Sequence, residues 1–198
     1  QYTEAIEILL KGKSYLEQYG ELINDLEKLD FYYHLMIMYA AGNDKENAEH
    51  CFNIAIAISK EKKIIYRLND FYRYLFAQHS SDLNAEKSRY YFTKIKALAS
   101  ILEDPIDFVY VEFLQLIYMN LIEKDYEKVI EQQLTYREEL GEEFFNELQH
   151  IVYAEHAYAY YFLGRYEEAI DTLKHYKIPS YLNHPLDIAR SYRTYAIK

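Results

Sequence analysis

The sequence predicts an all-α fold, a solenoid of stacked helix pairs repeated about every 40 residues through one domain spanning residues 1–198. Three observations carry this. Punctuation is sparse: 5 Gly and 3 Pro leave little turn material, so long helices with short connections follow. Hydrophobic residues make up 51% of the chain, enough to fill a core. Small or apolar residues also recur in register. Ala48, Ser88, Val129 and Ala169 are separated by 40, 41 and 40 residues, and four residues after each stand Phe52, Phe92, Gln133 and Leu173. Gln133 is the misfit, and a small rotation would bring Leu134 into its place. A helix pair with this pattern has an apolar face that only its neighbours can cover, so stacked pairs share a continuous core.

The elements follow in order. Residues 1–6, Gln-Tyr-Thr-Glu-Ala-Ile, read as the start of a second helix with no first helix before it, which predicts that the natural protein extends N-terminally. Residues 21–41 read as one helix with Leu26, Leu29, Phe31, Leu35 and Met38 as apolar positions, closed by Gly42-Asn43-Asp44. A helix over 47–60 follows, then one from Ile64 to Gln78, and His79-Ser80-Ser81-Asp82 reads as a polar break. Asp104 is predicted to cap a helix that has Pro105 at its first position, where the missing N–H costs nothing, and that runs to about Glu123. Lys124-Asp125-Tyr126-Glu127 matches Gly164-Arg165-Tyr166-Glu167. Gly141 fits a helix C-cap. The stretch 153–176 then reads as two helices folded on Gly164 and Arg165, with Tyr153, His156, Ala157 and Tyr160 on one face and Tyr166, Ala169, Leu173 and Tyr176 on the other helix's face. Asn183-His184-Pro185 starts a last helix.

Composition narrows the function classes. A net charge of −10 sets the chain against phosphates, so no nucleic acid is expected on this segment. No secretory leader pattern opens the chain, and the richest apolar stretch, at 31–41, is short and holds His34. A cytoplasmic protein without membrane contact is expected. Cys51 is the one cysteine, which removes any intrachain disulfide and reads as a buried helix residue. There is no HExxH, CxxC, phosphate loop or GxSxG. Glu147 and His150 form a single Glu-x-x-His where a di-iron bundle needs two. No metal, cofactor or catalytic residue is expected, and the chain is read as a non-enzyme.

The pair at 153–176 resembles a tetratricopeptide repeat. Tyr153 stands for the repeat's Trp, His156–Ala157 for its Leu-Gly, and Leu173 for its Phe. The unit here is longer than the roughly 34-residue tetratricopeptide unit, and HEAT-type repeats have a similar period. Tyr-x-x-Ala after a Gly or polar turn favours the tetratricopeptide-like reading. The resemblance implies a right-handed superhelix whose first helices line a concave face. Carried over, it gives a peptide-binding set of Tyr66, Asn69, Arg73, Gln115, Tyr118, Tyr158, Tyr161, Arg190 and Arg193, with Tyr32, Met36 and Tyr39 on the inner face of the first complete pair. In such a groove aromatic rings take apolar side chains, Asn or Gln takes backbone amides, and Arg takes a carboxylate. The second reading of each Tyr is packing between helices, and that of Asn69 and the three Arg is solvent exposure.

The long units, the Tyr-rich acidic composition (24 Tyr, no Trp) and the expected missing N-terminal segment are together similar to the peptide-sensing Rap/NprR/PlcR group of Gram-positive bacterial and phage regulators. That resemblance implies a sensor domain that binds a short signalling peptide and changes effector or oligomer state, including a homodimer, to control transcription. The effector or DNA-binding segment would lie outside these residues. The alternative is a scaffold binding a protein tail, and a third reading is an enzyme or its regulatory arm.

Overall fold

The structure is a computed structural model that describes residues 2–132 and 137–174. Over these residues the chain is all-helical, with no strand among them. Helix α1 (Tyr2–Tyr19) leads through one 3₁₀ turn (Gly20–Leu22) to α2 (Asp25–Ala41), α3 (Lys45–Lys62), α4 (Ile65–Ser81) and α5 (Ala85–Leu102). Then come α6 (Pro105–Tyr118), a π-helical turn (Met119–Glu123), α7 (Tyr126–Glu131), α8 (Arg137–Phe162) and α9 (Tyr166–Lys174). The chain forms two compact units, Gln1–Phe71 and Tyr72–Lys198, divided within α4. Gln133, Leu134, Tyr176 and the helix expected from Asn183 lie outside the described residues.

The 40-residue register is written into the backbone turns. Asn43, Leu83, Lys124 and Gly164 each adopt the left-handed conformation, at φ of 61°, 55°, 56° and 74°. In three of the four turns the next N–H donates to a carbonyl five residues back: Asp44 to Tyr39 at 2.8 Å, Asn84 to His79 at 2.9 Å and Arg165 to Tyr160 at 2.9 Å. This pairing satisfies carbonyls that a helix end leaves open, and it repays the strain of a left-handed residue that is glycine only at 164. The following helix is capped by Asp44, Asn84 and Asp125, whose side chains accept from the N–H groups of Asn47, Lys87 and Lys128. The four register positions Ala48, Ser88, Val129 and Ala169 are then all buried, as are Phe52, Phe92 and Leu173.

The single 41-residue interval has a structural cause. In the third turn Asp125 donates six residues back, to Met119 at 3.1 Å, because the preceding helix ends in the π turn. One inserted residue is absorbed as a helical bulge, which leaves the turn and cap intact.

Several boundaries differ from the sequence expectation. Helix α2 begins at Asp25 because Asn24 accepts the Glu27 N–H at 2.9 Å and stops the preceding 3₁₀ turn from continuing. His79, Ser80 and Ser81 continue α4, with Ser80 fully buried, so the break falls at Asp82–Asn84. Gly141 lies inside α8. Glycine permits a left-handed stop without compelling one, and its cost of about 1 kcal/mol in a helix interior is small against a neighbourhood of strong formers such as Glu and Leu. Asp104 caps α6 as expected, accepting from Ile106 N at 2.9 Å with Pro105 in the first turn.

In the first unit, α2 and α3 pack through Leu29, Leu35, Met36, Cys51, Phe52 and Ala55. The face expected to line a groove, Tyr32, Met36 and Tyr39, is buried in this packing, whereas Leu26 is exposed. Phe71 closes the core edge-on to Tyr33 and Phe52, with ring centroids at 5.4 and 6.2 Å. Helix α1 crosses α2 where Gly12 lies beneath Phe31, so closely that a Cβ there would come within 2.6 Å of the ring. In the second unit α6 packs against α5 and α8, and α7 against α8. Its core joins Val109, Phe113, Leu116, Met119, Val129 and Ala159. Contrary to the expectation that the short run at 31–41 is the richest apolar stretch, Pro105–Glu123 is long and apolar enough by composition to cross a membrane, yet half of that window is buried inside the protein. It is the core helix of this unit.

Candidate functional site

The nine positions expected to bind a peptide have different fates. In the first unit Tyr66 is half exposed, with the Arg67 guanidinium 5.8 Å from its ring centroid, while Asn69 is buried. Arg67 itself is drawn into ion pairs with Asp30 and, at 3.2 Å, Asp70. In the second unit Arg73 pairs with Asp107 and stacks over Tyr110 at 4.3 Å. Its charge is thus already met within the fold. Gln115 is half-buried on α6. Tyr118 is core: its ring lies 5.1 Å from Phe92, and its hydroxyl accepts from Arg89 Nε at 3.1 Å. Arg190 and Arg193 lie outside the described residues.

Tyr158 and Tyr161 are brought together. They belong to a connected aromatic cluster at the α8–α9 turn. Phe162 is the hub, with ring centroids 4.6 Å from Tyr158, 5.3 Å from Tyr161 and 5.3 Å from Tyr126 of α7. Tyr166, at the start of α9, adds a ring 5.6 Å from Tyr161. Tyr161, Phe162 and Tyr166 are 41%, 49% and 58% exposed, so three linked rings face solvent. The sequence placed Tyr166 on the packing face of its helix. As the first helical residue after the turn it instead projects outward, while Ala169 and Leu173 carry the packing.

A second feature escaped the sequence reading. Asn120, inside the π turn, donates from Nδ2 to Glu155 O at 2.9 Å and to Glu155 Oε2 at 2.7 Å. Both residues are fully buried. The bulge sets the phase of Asn120 toward α8. The signal was present as the 41-residue interval and as a lone Asn in the apolar run Tyr-Met-Asn-Leu-Ile, residues 118–122.

His156 follows Glu155 on α8. Burial holds its ring below the ordinary value of 6.5, against a hydrogen bond to the Val129 backbone and the nearby Glu155 carboxylate. The folded state therefore favours the neutral ring, and the unfolded chain binds the proton first as pH falls. Stability should be complete above 6.5 and decline as pH drops below it. His156→Gln is expected to flatten that acid limb in urea unfolding at stepped pH. An unchanged slope would remove His156 as its source.

Among the described residues no reactive centre stands out. Burial raises the Cys51 thiol, with Lys13 partly offsetting and Asp44 adding to the shift, so its nucleophilic form is disfavoured. Among the described residues no group of three His, Cys, Asp or Glu could hold a metal ion. An open hollow in the first unit is edged by Leu16, Tyr19, Leu22, Tyr32 and Ile58, and another runs along one face of α5 past Arg89 and Tyr90. The first also carries Glu17, Gln18, Glu21 and Lys28, and the second Glu86, Thr93 and Lys94, but both are wide open to solvent, unlike the concave, mostly enclosed clefts that bury small molecules.

No protein-family model, curated protein or solved structure matches the chain. Fold and site together define a class: an all-α protein of helix hairpins with a solvent-facing aromatic cluster at one hairpin turn.

Proposed function

We propose that the chain is a peptide-binding sensor domain of a cytoplasmic regulator, built as a right-handed superhelix of tetratricopeptide-like helix pairs. A short signalling peptide lies along the concave face, and its binding changes effector or oligomer state to control transcription, as in the Rap/NprR/PlcR group. One observation carries the reading: the same left-handed turn recurs at Asn43, Leu83, Lys124 and Gly164, followed each time by a buried register position. Equivalent hairpins at a fixed interval are the building principle of repeat domains that bind extended ligands. A ligand spanning several hairpins would favour one curvature over others and so shift a population. The domain binds neither nucleic acid nor membrane and needs no cofactor.

A second reading, a scaffold for a longer protein tail, is favoured by the burial of Asn69 and Tyr118, which leaves less polar surface for a short peptide. Thermal shift with a pool of short peptides separates the two. A peptide at a hundred times its dissociation constant should add about 2.7 kcal/mol, a rise of roughly 5–10 °C in Tm for a chain of this size. No shift with any peptide, alongside binding to a larger protein, would favour the scaffold. Binding of neither would overturn both.

A further inference from the structure

The aromatic corner at the α8–α9 turn has a chemical bias beyond its exposed area. Its rings come from three helices: Tyr126 from α7, Tyr158, Tyr161 and Phe162 from α8, and Tyr166 from α9. The charged groups around it are unevenly satisfied. Lys128 is taken up by Asp125 at 2.6 Å, and Arg165 by Glu168 at 3.0 Å while also lying over Tyr160. Glu127 and Glu167 are exposed, and among the described residues neither lies within ion-pair distance of a cation. Glu127 is close enough to act on the Arg165 guanidinium, which places it at the same corner. Exposed ring faces beside solvent-facing carboxylates favour a cation, because ring quadrupole and carboxylate attract the same charge. The long stems of Lys and Arg also cover apolar rings while their heads stay in water. A linked, solvent-facing apolar patch of this kind marks an interaction surface.

We infer that this corner is a docking surface for a basic segment of a partner polypeptide, its Lys or Arg stems lying across Tyr161, Phe162 and Tyr166 and its charges meeting Glu127 and Glu167. The inference rests on the binding-domain reading and names the ligand chemistry at Tyr158 and Tyr161. An acidic or phosphate-bearing ligand is repelled by the same carboxylates.

The test uses the full chain and three labelled short peptides in which leucine alternates with lysine, glutamine or glutamate, followed by fluorescence anisotropy. The lysine peptide should bind, the other two about tenfold or more weaker. Loss of a cation–ring contact at an exposed site is worth roughly three- to fivefold, so Tyr161→Ser/Tyr166→Ser should weaken the lysine peptide by about tenfold. The remote pair Glu46→Gln/Glu49→Gln on α3 should leave binding unchanged. If the double Ser variant fails to fold, Glu127→Gln/Glu167→Gln keeps the rings and should weaken binding roughly fivefold with a shallower salt dependence. The inference is overturned by no binding, by equal binding of the glutamine peptide, or by equal loss in the α3 variant, which would mean diffuse attraction to an acidic protein. A thermal shift from the peptide pool that survives in Tyr161→Ser/Tyr166→Ser would overturn this corner as the site and leave the domain reading standing.

Discussion

Phe76→Ala is expected to destabilise the second unit by about 3–5 kcal/mol, the range for truncating a fully buried phenylalanine. Phe76 is completely buried on α4, with its ring centroid 5.4 Å from Phe92 of α5 and 6.4 Å from Tyr118 of α6. The loss has two parts: apolar surface no longer withdrawn from water, and a cavity that the facing rings cannot close without leaving their own rotamers. Tyr118 is additionally held by Arg89, which limits its freedom to move into the space. Urea unfolding followed by circular dichroism should show the midpoint fall at an unchanged slope. The near-ultraviolet signal of the tyrosines should weaken as well, because their packing becomes less fixed. A loss under about 1 kcal/mol would mean that the three rings do not form a shared packed cluster.

Asn120→Leu is expected to cost about 2–4 kcal/mol, because it strips two donated hydrogen bonds from the buried Glu155 and leaves that group without their compensation. Glu155→Gln should cost much less. Its side-chain oxygen still accepts from Asn120 Nδ2, and the bond to the Glu155 backbone carbonyl is untouched. The double variant Asn120→Leu/Glu155→Leu should be less destabilised than the sum of the singles, since two apolar groups leave nothing unsatisfied at the pair. A double-mutant cycle by urea unfolding measures this coupling. Strict additivity would show that the pair contributes no interaction of its own. The position of the pair matters for the architecture: the same π turn that orients Asn120 also absorbs the extra residue of the third hairpin.

Much of the local architecture was legible because it depends on short-range patterns. The cap at Asp104, the turns at Asn43 and Gly164, and the register through Ala48, Ser88, Val129 and Ala169 each follow from a few adjacent residues. Boundary errors arose where neighbouring chemistry outweighed a local signal. Gly141 sits among strong helix formers and continues α8, and the polar run at His79–Ser81 stays helical with Ser80 fully buried.

The candidate site was less legible. Periodicity states that a residue lies on a given helix face, but not whether a neighbour covers that face. Tyr118 and Tyr161 stand near the ends of comparable first helices. Tyr118 is covered by the rings of Phe76 and Phe92, while Tyr161, beside the turn, is left in water. Arg73 looked like a free cation for a ligand carboxylate until Asp107, 34 residues away, proved to hold it.

The sequence by itself determined an all-helical chain, its hairpin interval near 40 residues and the small or apolar positions where helices meet, because helix propensity, caps and turns are decided within a few residues. Tertiary structure alone decided which aromatics are core and which form the exposed corner at Tyr161, Phe162 and Tyr166, and that Asn120 meets Glu155. Those outcomes depend on side chains from different helices being brought to one place, such as Phe92 with Tyr118 and Asn120 with Glu155, the latter phased by the inserted residue in the π turn.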